Sequence, residues 1–190
     1  FSKLIKEHNP KIPVVWGGWH TSLFPKQVLK DVPEVDIAVQ GQGEVTFKEI
    51  VEAISSKREL SSIKGIVFRE QGGLIQTAPR AMEDMNNLPR LNYDLIDVER
   101  YFEAKGMRQF DFITSIGCFF RCTFCADPFV FNRRYSGLEP ERVFEDLKFY
   151  HDKYKFQDLN FQDETFFTYP KRILKMATLL KTFGNKFSWA

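Results

Sequence analysis

The chain has 190 residues, 27 Lys plus Arg against 25 Asp plus Glu, and 43% hydrophobic side chains, enough for one or two packed cores and too apolar for a disordered chain. A formal net charge of +2, spread along the length without a basic tail or stripe, gives no reason to expect DNA, RNA or anionic lipid as a partner. No stretch approaches the roughly 20 apolar residues of a membrane span and no signal-peptide pattern opens the chain, so the expected compartment is the cytoplasm.

The first element is a strand over Ile12 to Trp16 that ends in Gly17-Gly18. A second strand, Asp36 to Val39, ends in Gly41-Gln42-Gly43, and Glu44 to Ile54 follows with apolar residues near helical spacing. This is the βαβα cadence of an open parallel sheet, in which ligands bind beyond the carboxyl ends of strands and glycines let the backbone come close. Ile63 to Arg69 and Leu74 to Thr77 flank Gln71-Gly72-Gly73, a β-hairpin signal. Ala78 to Asp97, with Pro79, Pro89 and two adjacent Asn, reads as a linker.

A second βα cadence begins with the strand Phe110 to Ile116 and Gly117 at its end. A helix opened by Pro140 runs from Glu139 to Tyr154, Asp158 to Phe161 is a strand, and Pro170 to Phe183 is a helix closed by Gly184. Lys186 to Trp189 reads as the next strand, a buried one. The chain opens on Phe1 and breaks off at that strand, so a piece of a longer protein is expected.

All three cysteines, Cys118, Cys122 and Cys125, fall in one eight-residue window. An odd count forms no disulfide framework, which leaves a metal. Zinc needs four protein ligands and would have to recruit His8, His20 or His151, none at the usual short spacing. An iron–sulfur cluster on Cys thiolates fits better, and three thiolates on four irons leave one iron open to a substrate or cofactor. A structural metal or a plain electron-transfer cluster is the bland alternative.

The segment Gly117-Cys118-Phe119-Phe120-Arg121-Cys122-Thr123-Phe124-Cys125 resembles the CxxxCxxC loop of radical S-adenosylmethionine (SAM) enzymes. The resemblance implies a [4Fe-4S] cluster on Cys118, Cys122 and Cys125, SAM chelated at the open iron, and a 5′-deoxyadenosyl radical that abstracts hydrogen. It also implies Phe124 beside the adenine, a small-molecule substrate, and a reduced flavodoxin or ferredoxin as electron donor. Where the family carries a GGE-like segment for the SAM amino group, this chain has Gln162-Asp163-Glu164-Thr165, so Asp163 and Glu164 are the candidate carboxylates. Without a cofactor the same two acids would serve as a helix N-cap. Arg133-Arg134 reads as a solvated or packing pair.

Upstream, Gly17-Gly18-Trp19-His20-Thr21 and Gly41-Gln42-Gly43-Glu44 are similar to the GGxHxT and GEGE stretches of the cobalamin-binding domain that precedes many radical SAM domains. That likeness implies Gly17, Gly18, His20, Gly41, Gly43 and Glu44 near a corrinoid, with Gln42 departing from the family's Glu. The bland alternative is a pair of tight βα turns. The implied fold is α/β: a partial doubly wound, Rossmann-like cobalamin-binding half domain over 1–60, a hairpin and linker over 61–100, and a truncated radical SAM (β/α)6 partial barrel over 101–190. The implied reaction is methyl transfer to an unactivated carbon or phosphorus, or a ring-forming oxidation of the tetrapyrrole type. A scaffold domain that has lost its corrinoid and a cluster-bearing electron carrier are the rivals.

Overall fold

The computed structural model describes residues 1–184 and 186–190. Along the chain run α1 (Ser2–His8), β1 (Val15–Trp16), α2 (Trp19–Leu23), α3 (Pro25–Asp31), β2 (Ile37–Val39), α4 (Glu44–Ser56), β3 (Ile66–Glu70) and β4 (Gly73–Gln76). There follow α5 (Val98–Lys105), β5 (Gln109–Phe112), β6 (Ser115–Ile116), α6 (Asp127–Val130), β7 (Ser136–Gly137), α7 (Pro140–Tyr154), β8 (Asp158–Phe161), α8 (Pro170–Lys181) and β9 (Ser188–Trp189). The chain divides into two units, Phe1–Met82 with Phe119–Arg134, and Glu83–Cys118 with Tyr135–Ala190.

The first unit is built on a four-stranded sheet in the order β1-β2-β3-β4. β1 and β2 are parallel, with Val15 opposite Ile37, and β3 runs antiparallel to β2, with Ala38 opposite Val67. The hairpin is therefore part of this sheet. Because side chains alternate across a strand, Ile37 and Val39 pack with Ile50 and Ala53 of α4, whereas Ala38 packs with Val28 and Leu29 of α3. A strand covered on both faces has no polar side, which is why β2 reads Ile-Ala-Val throughout. β1 is shorter than the predicted Ile12 to Trp16 because Pro13 has no N–H for the ladder. Val14 is instead anchored by the Asp36 carboxylate, which accepts its N–H at 2.7 Å and the Lys6 ammonium at 2.6 Å.

The second unit carries a parallel sheet in the order β5-β8-β9, with Phe110 opposite Leu159 and Leu159 opposite Trp189. Phe110, Phe112 and Leu159 join Val143, Leu147 and Tyr150 of α7 and Met176 and Leu180 of α8 in one core. This is the βαβαβ arrangement of a barrel segment, helices on one face of consecutive parallel strands. The predicted single strand Phe110 to Ile116 is two: β5 stops at Phe112, and Ser115 and Ile116 turn to pair with Gly137 and Ser136 of β7. β9 forms as predicted in register with β8, but Ser188 and Trp189 are exposed where a buried strand was predicted. Among the described residues no helix is long and apolar enough to cross a membrane.

Candidate functional site

In the second unit the chemistry gathers past the carboxyl ends of β5 and β8. Thr114 and Ser115 are buried polar residues in an otherwise apolar run. Asp163, just beyond β8, meets their need: Oδ2 accepts the Thr114 N–H at 3.1 Å, and Oδ1 accepts the Thr114 hydroxyl at 2.7 Å and the Ser115 hydroxyl as well. Arg172 of α8 completes the set, donating from Nη2 to the Thr114 carbonyl at 2.8 Å and from Nε to the Leu138 carbonyl at 2.9 Å. Thr165 donates its hydroxyl to the carbonyl of Gly117 at 3.3 Å. The strand end that delivers Cys118 is thus bolted to the β8 end, because each buried polar group must find a partner.

Asp163 and Glu164 cap no helix: the short turn Phe166–Thr168 starts from Thr165 without a side-chain cap, and α8 starts from Tyr169. Glu164 is exposed. The face of β5 and β8 turned away from the helices is polar. There Asp111 accepts from Asn160 at 3.0 Å and Gln162 at 3.1 Å and pairs with Lys105. Burial raises its pKa, but those three donors together hold it below the usual aspartate value. Asp158 is also lowered, by hydrogen bonds from Ser188 and Gln109, each at 2.5 Å.

Gly117 has φ +78, a left-handed turn that favours glycine, and leads into the cysteine loop. Cys118 is buried, Cys122 exposed and Cys125 half-buried, all with free thiols. The Cys125 N–H donates to the Cys122 carbonyl at 3.2 Å, folding these two cysteines into one turn. Among the described residues no three His, Cys, Asp or Glu side chains stand within reach of one metal ion. The donor set is nonetheless all thiol, which suits iron–sulfur coordination and leaves the histidines out. Phe124 is 92% exposed, an apolar ring with nothing packed over it.

In the first unit the two glycine loops lie beyond β1 and β2. Gly18 (φ +91) precedes α2 and Gly41 (φ +69) follows β2, both in the left-handed region. A Cβ at Gly18 would meet nothing within 4 Å, so the backbone there is open to an incoming group. Ser22, which sequence reasoning did not single out, ties the loops together: its hydroxyl donates to the Gly18 carbonyl at 2.7 Å and accepts the Gly41 N–H at 2.9 Å. The only legible signal was a Ser four residues after the glycine, at helical back-bonding distance. Gly17 and Gly43 both face Val39, where an added Cβ would make ordinary contacts of 3.9 Å. Gly43 precedes α4 and Glu44 is its first-turn acid, while His20 is exposed beside Phe24 with ring centroids 5.5 Å apart. The open backbone at Gly18 leaves room for a flat ligand laid against this loop.

Residues 1–51 match the family model described as the B12 binding domain. The chain is 35% identical over 189 residues to the Pyrococcus horikoshii protein named uncharacterized methyltransferase PH0819, covering 99% of this chain and 41% of that protein. It is 26% identical over 160 residues to the anaerobic magnesium-protoporphyrin IX monomethyl ester cyclase of Synechocystis, covering 84% and 32%. Among solved structures, the cobalamin-dependent S-adenosylmethionine radical enzyme OxsB superposes with a TM-score of 0.77 at 21% identity, over 98% of this chain and 27% of that one. The radical SAM methyltransferase TsrM of Kitasatospora setae superposes with a TM-score of 0.70 at 21% identity, over 95% and 35%. The chain spans about two-fifths or less of the length of these relatives. With residues 1–51 matching a B12 binding domain and a parallel-stranded second unit leading to CxxxCxxC, the chain resembles the cobalamin-binding radical SAM family over nearly its whole length.

Proposed function

We propose that the chain is part of a cobalamin-dependent radical SAM enzyme that transfers a methyl group to an unactivated carbon or phosphorus centre of a small-molecule substrate. The observation that carries this reading is the all-thiol set of Cys118, Cys122 and Cys125 directly after a strand end fixed by Asp163. Bound there, a [4Fe-4S] cluster supplies the electron that cleaves the SAM sulfonium, and a corrinoid supplies a methyl carrier.

In this reading Cys118, Cys122 and Cys125 hold the cluster and leave one iron for SAM. Phe124 offers its exposed ring to the adenine, where covering an apolar face is favourable. Asp163 holds Thr114 and Ser115, and Glu164 beside it is the acid for the SAM ammonium, the place where the family carries its GGE-like segment. Gly17, Gly18, His20, Gly41, Gly43 and Glu44 line the corrinoid's approach in the first unit. A flavodoxin or ferredoxin would supply the electron. A relative named as a tetrapyrrole-ester cyclase supports oxidative ring formation as the second reading.

Electron paramagnetic resonance of the reduced, anaerobically reconstituted full-length protein tests the assignment. A [4Fe-4S] signal that changes on adding SAM, and is lost in Cys122→Ala, is the expected result. A cluster signal indifferent to SAM would return the protein to electron transfer, and zinc without iron would remove the assignment altogether.

A further inference from the structure

Beyond the carboxyl end of β2 the first unit carries a half-open cavity of about 420 Å³, within the size range of small-ligand sites. Gly41 and Gln42 form part of its wall, Arg80 and Met82 another part, and Asn132 and Arg134 a third. Among the described residues no Asp or Glu lines it, whereas two guanidinium groups and two side-chain amides do. Such a lining complements a ligand rich in acceptor oxygens and negative charge.

Arg80 is built into place. Its backbone passes against Gly65 (φ +80), where an added Cβ would stand 3.3 Å from the Arg80 Cβ and 3.7 Å from its nitrogen. Gly65 in turn donates its N–H to the Ala78 carbonyl at 2.8 Å and accepts the Gln40 N–H at 2.9 Å. The Arg80 side chain is only 13% exposed, and one arm of its guanidinium pairs with Glu49. Its Nε–H is buried and has no acceptor.

A separate feature of the wall points the same way. Asn132 (φ +52) and Arg133 (φ +57) are consecutive non-glycine residues in the left-handed region. The C-terminal turn of α6 accounts for Asn132, a residue that tolerates this conformation, but not for Arg133 beside it. Arg134, the next residue, lines the cavity.

We propose that this cavity binds a small ligand through a carboxylate or phosphate group, with Arg80 and Arg134 as its charge partners. The group belongs either to a free acid or to the phosphodiester of a bound corrinoid. Titration calorimetry of inorganic phosphate into the corrinoid-free full-length protein tests it. Saturable binding is expected, weakened at least about tenfold in Arg80→Gln and in Arg134→Gln, and unchanged in Lys48→Gln, which alters an exposed basic residue of α4 paired with Glu52. Arg134 is exposed, so its variant carries the test even where Arg80→Gln fails to fold. In corrinoid-loaded protein, loss of phosphate binding identifies the corrinoid as the source of the group, and retained binding identifies a free acid. No saturable binding, or equal weakening in all three variants, would overturn the site.

Discussion

Asp163 holds Thr114 twice, accepting its backbone N–H at 3.1 Å and its hydroxyl at 2.7 Å across 49 residues of chain. The carboxylate therefore acts on the strand end ahead of Cys118. Asp163→Asn keeps the shape but offers one acceptor oxygen to three donors, so at least one buried donor loses its partner, at about 1–3 kcal/mol. Urea unfolding is expected to show that loss, and iron content per chain to fall with it. If Asp163 instead served the SAM ammonium directly, the variant would keep its stability and its iron and lose only SAM affinity.

Glu164 is the complementary case. It is exposed, and Glu164→Gln is expected to weaken SAM binding to the reconstituted protein. Equal SAM affinity in the two proteins would take this residue out of the cofactor site.

Ser22 bridges the glycine loops through a single hydroxyl. Ser22→Ala leaves the Gly41 N–H and the Gly18 carbonyl each short of one partner, at a cost on the order of 1–2 kcal/mol. Cobalamin titration should show weaker binding as well, since the two loops lose their fixed spacing. A variant with unaltered stability and corrinoid affinity would mean that water replaces the hydroxyl at no cost.

What could be read from the sequence was whatever local chemistry writes down. Cys118, Cys122 and Cys125 are legible because coordination demands a spacing within one loop, and β2 because burial on both faces demands apolar residues at every position. The break between β5 and β6 was not legible: Thr114 and Ser115 look like ordinary strand residues until Asp163 and Arg172 arrive from β8 and α8. α5 escaped notice although its signals are local, with the Asp97 carboxylate accepting the Arg100 N–H at 3.1 Å and Gly106 (φ +66) closing it. It is a short helix after a proline-rich stretch, and the composition of that stretch masked its caps.

Gly137 of β7 has no room for a side chain. A Cβ there would stand 2.8 Å from the Tyr135 hydroxyl and 3.0 Å from Nε of Arg172. Tyr135 can swing its ring tip, but Arg172 is held by the carbonyls of Leu138 and Thr114 and cannot move without breaking both bonds. Gly137→Ala is expected to cost about 1–3 kcal/mol by overpacking, read as a lower urea midpoint. Gly72→Ser, where a Cβ meets nothing within 4 Å, separates the crowding effect from that of φ, since only backbone strain acts at Gly72 (φ +81).

His151 is expected to make the second unit sensitive to mild acid. Its Nδ1 is buried without a partner, and its ring lies among Phe156, Phe187 and Phe183, with centroids 5.1, 5.6 and 6.2 Å away. Burial, and next the positive charge of Lys186, push its pKa below the ordinary 6.5. In the unfolded chain the imidazole takes up its proton near 6.5, while in the folded one it stays neutral to lower pH. The unfolded state therefore binds more protons as the pH falls below that value, and stability drains away until the folded pKa is passed. His151→Leu removes both the proton site and the unpaired nitrogen. It is expected to flatten the fall in urea midpoint between about pH 7 and pH 5. An identical fall in parent and variant would assign the acid sensitivity to other groups.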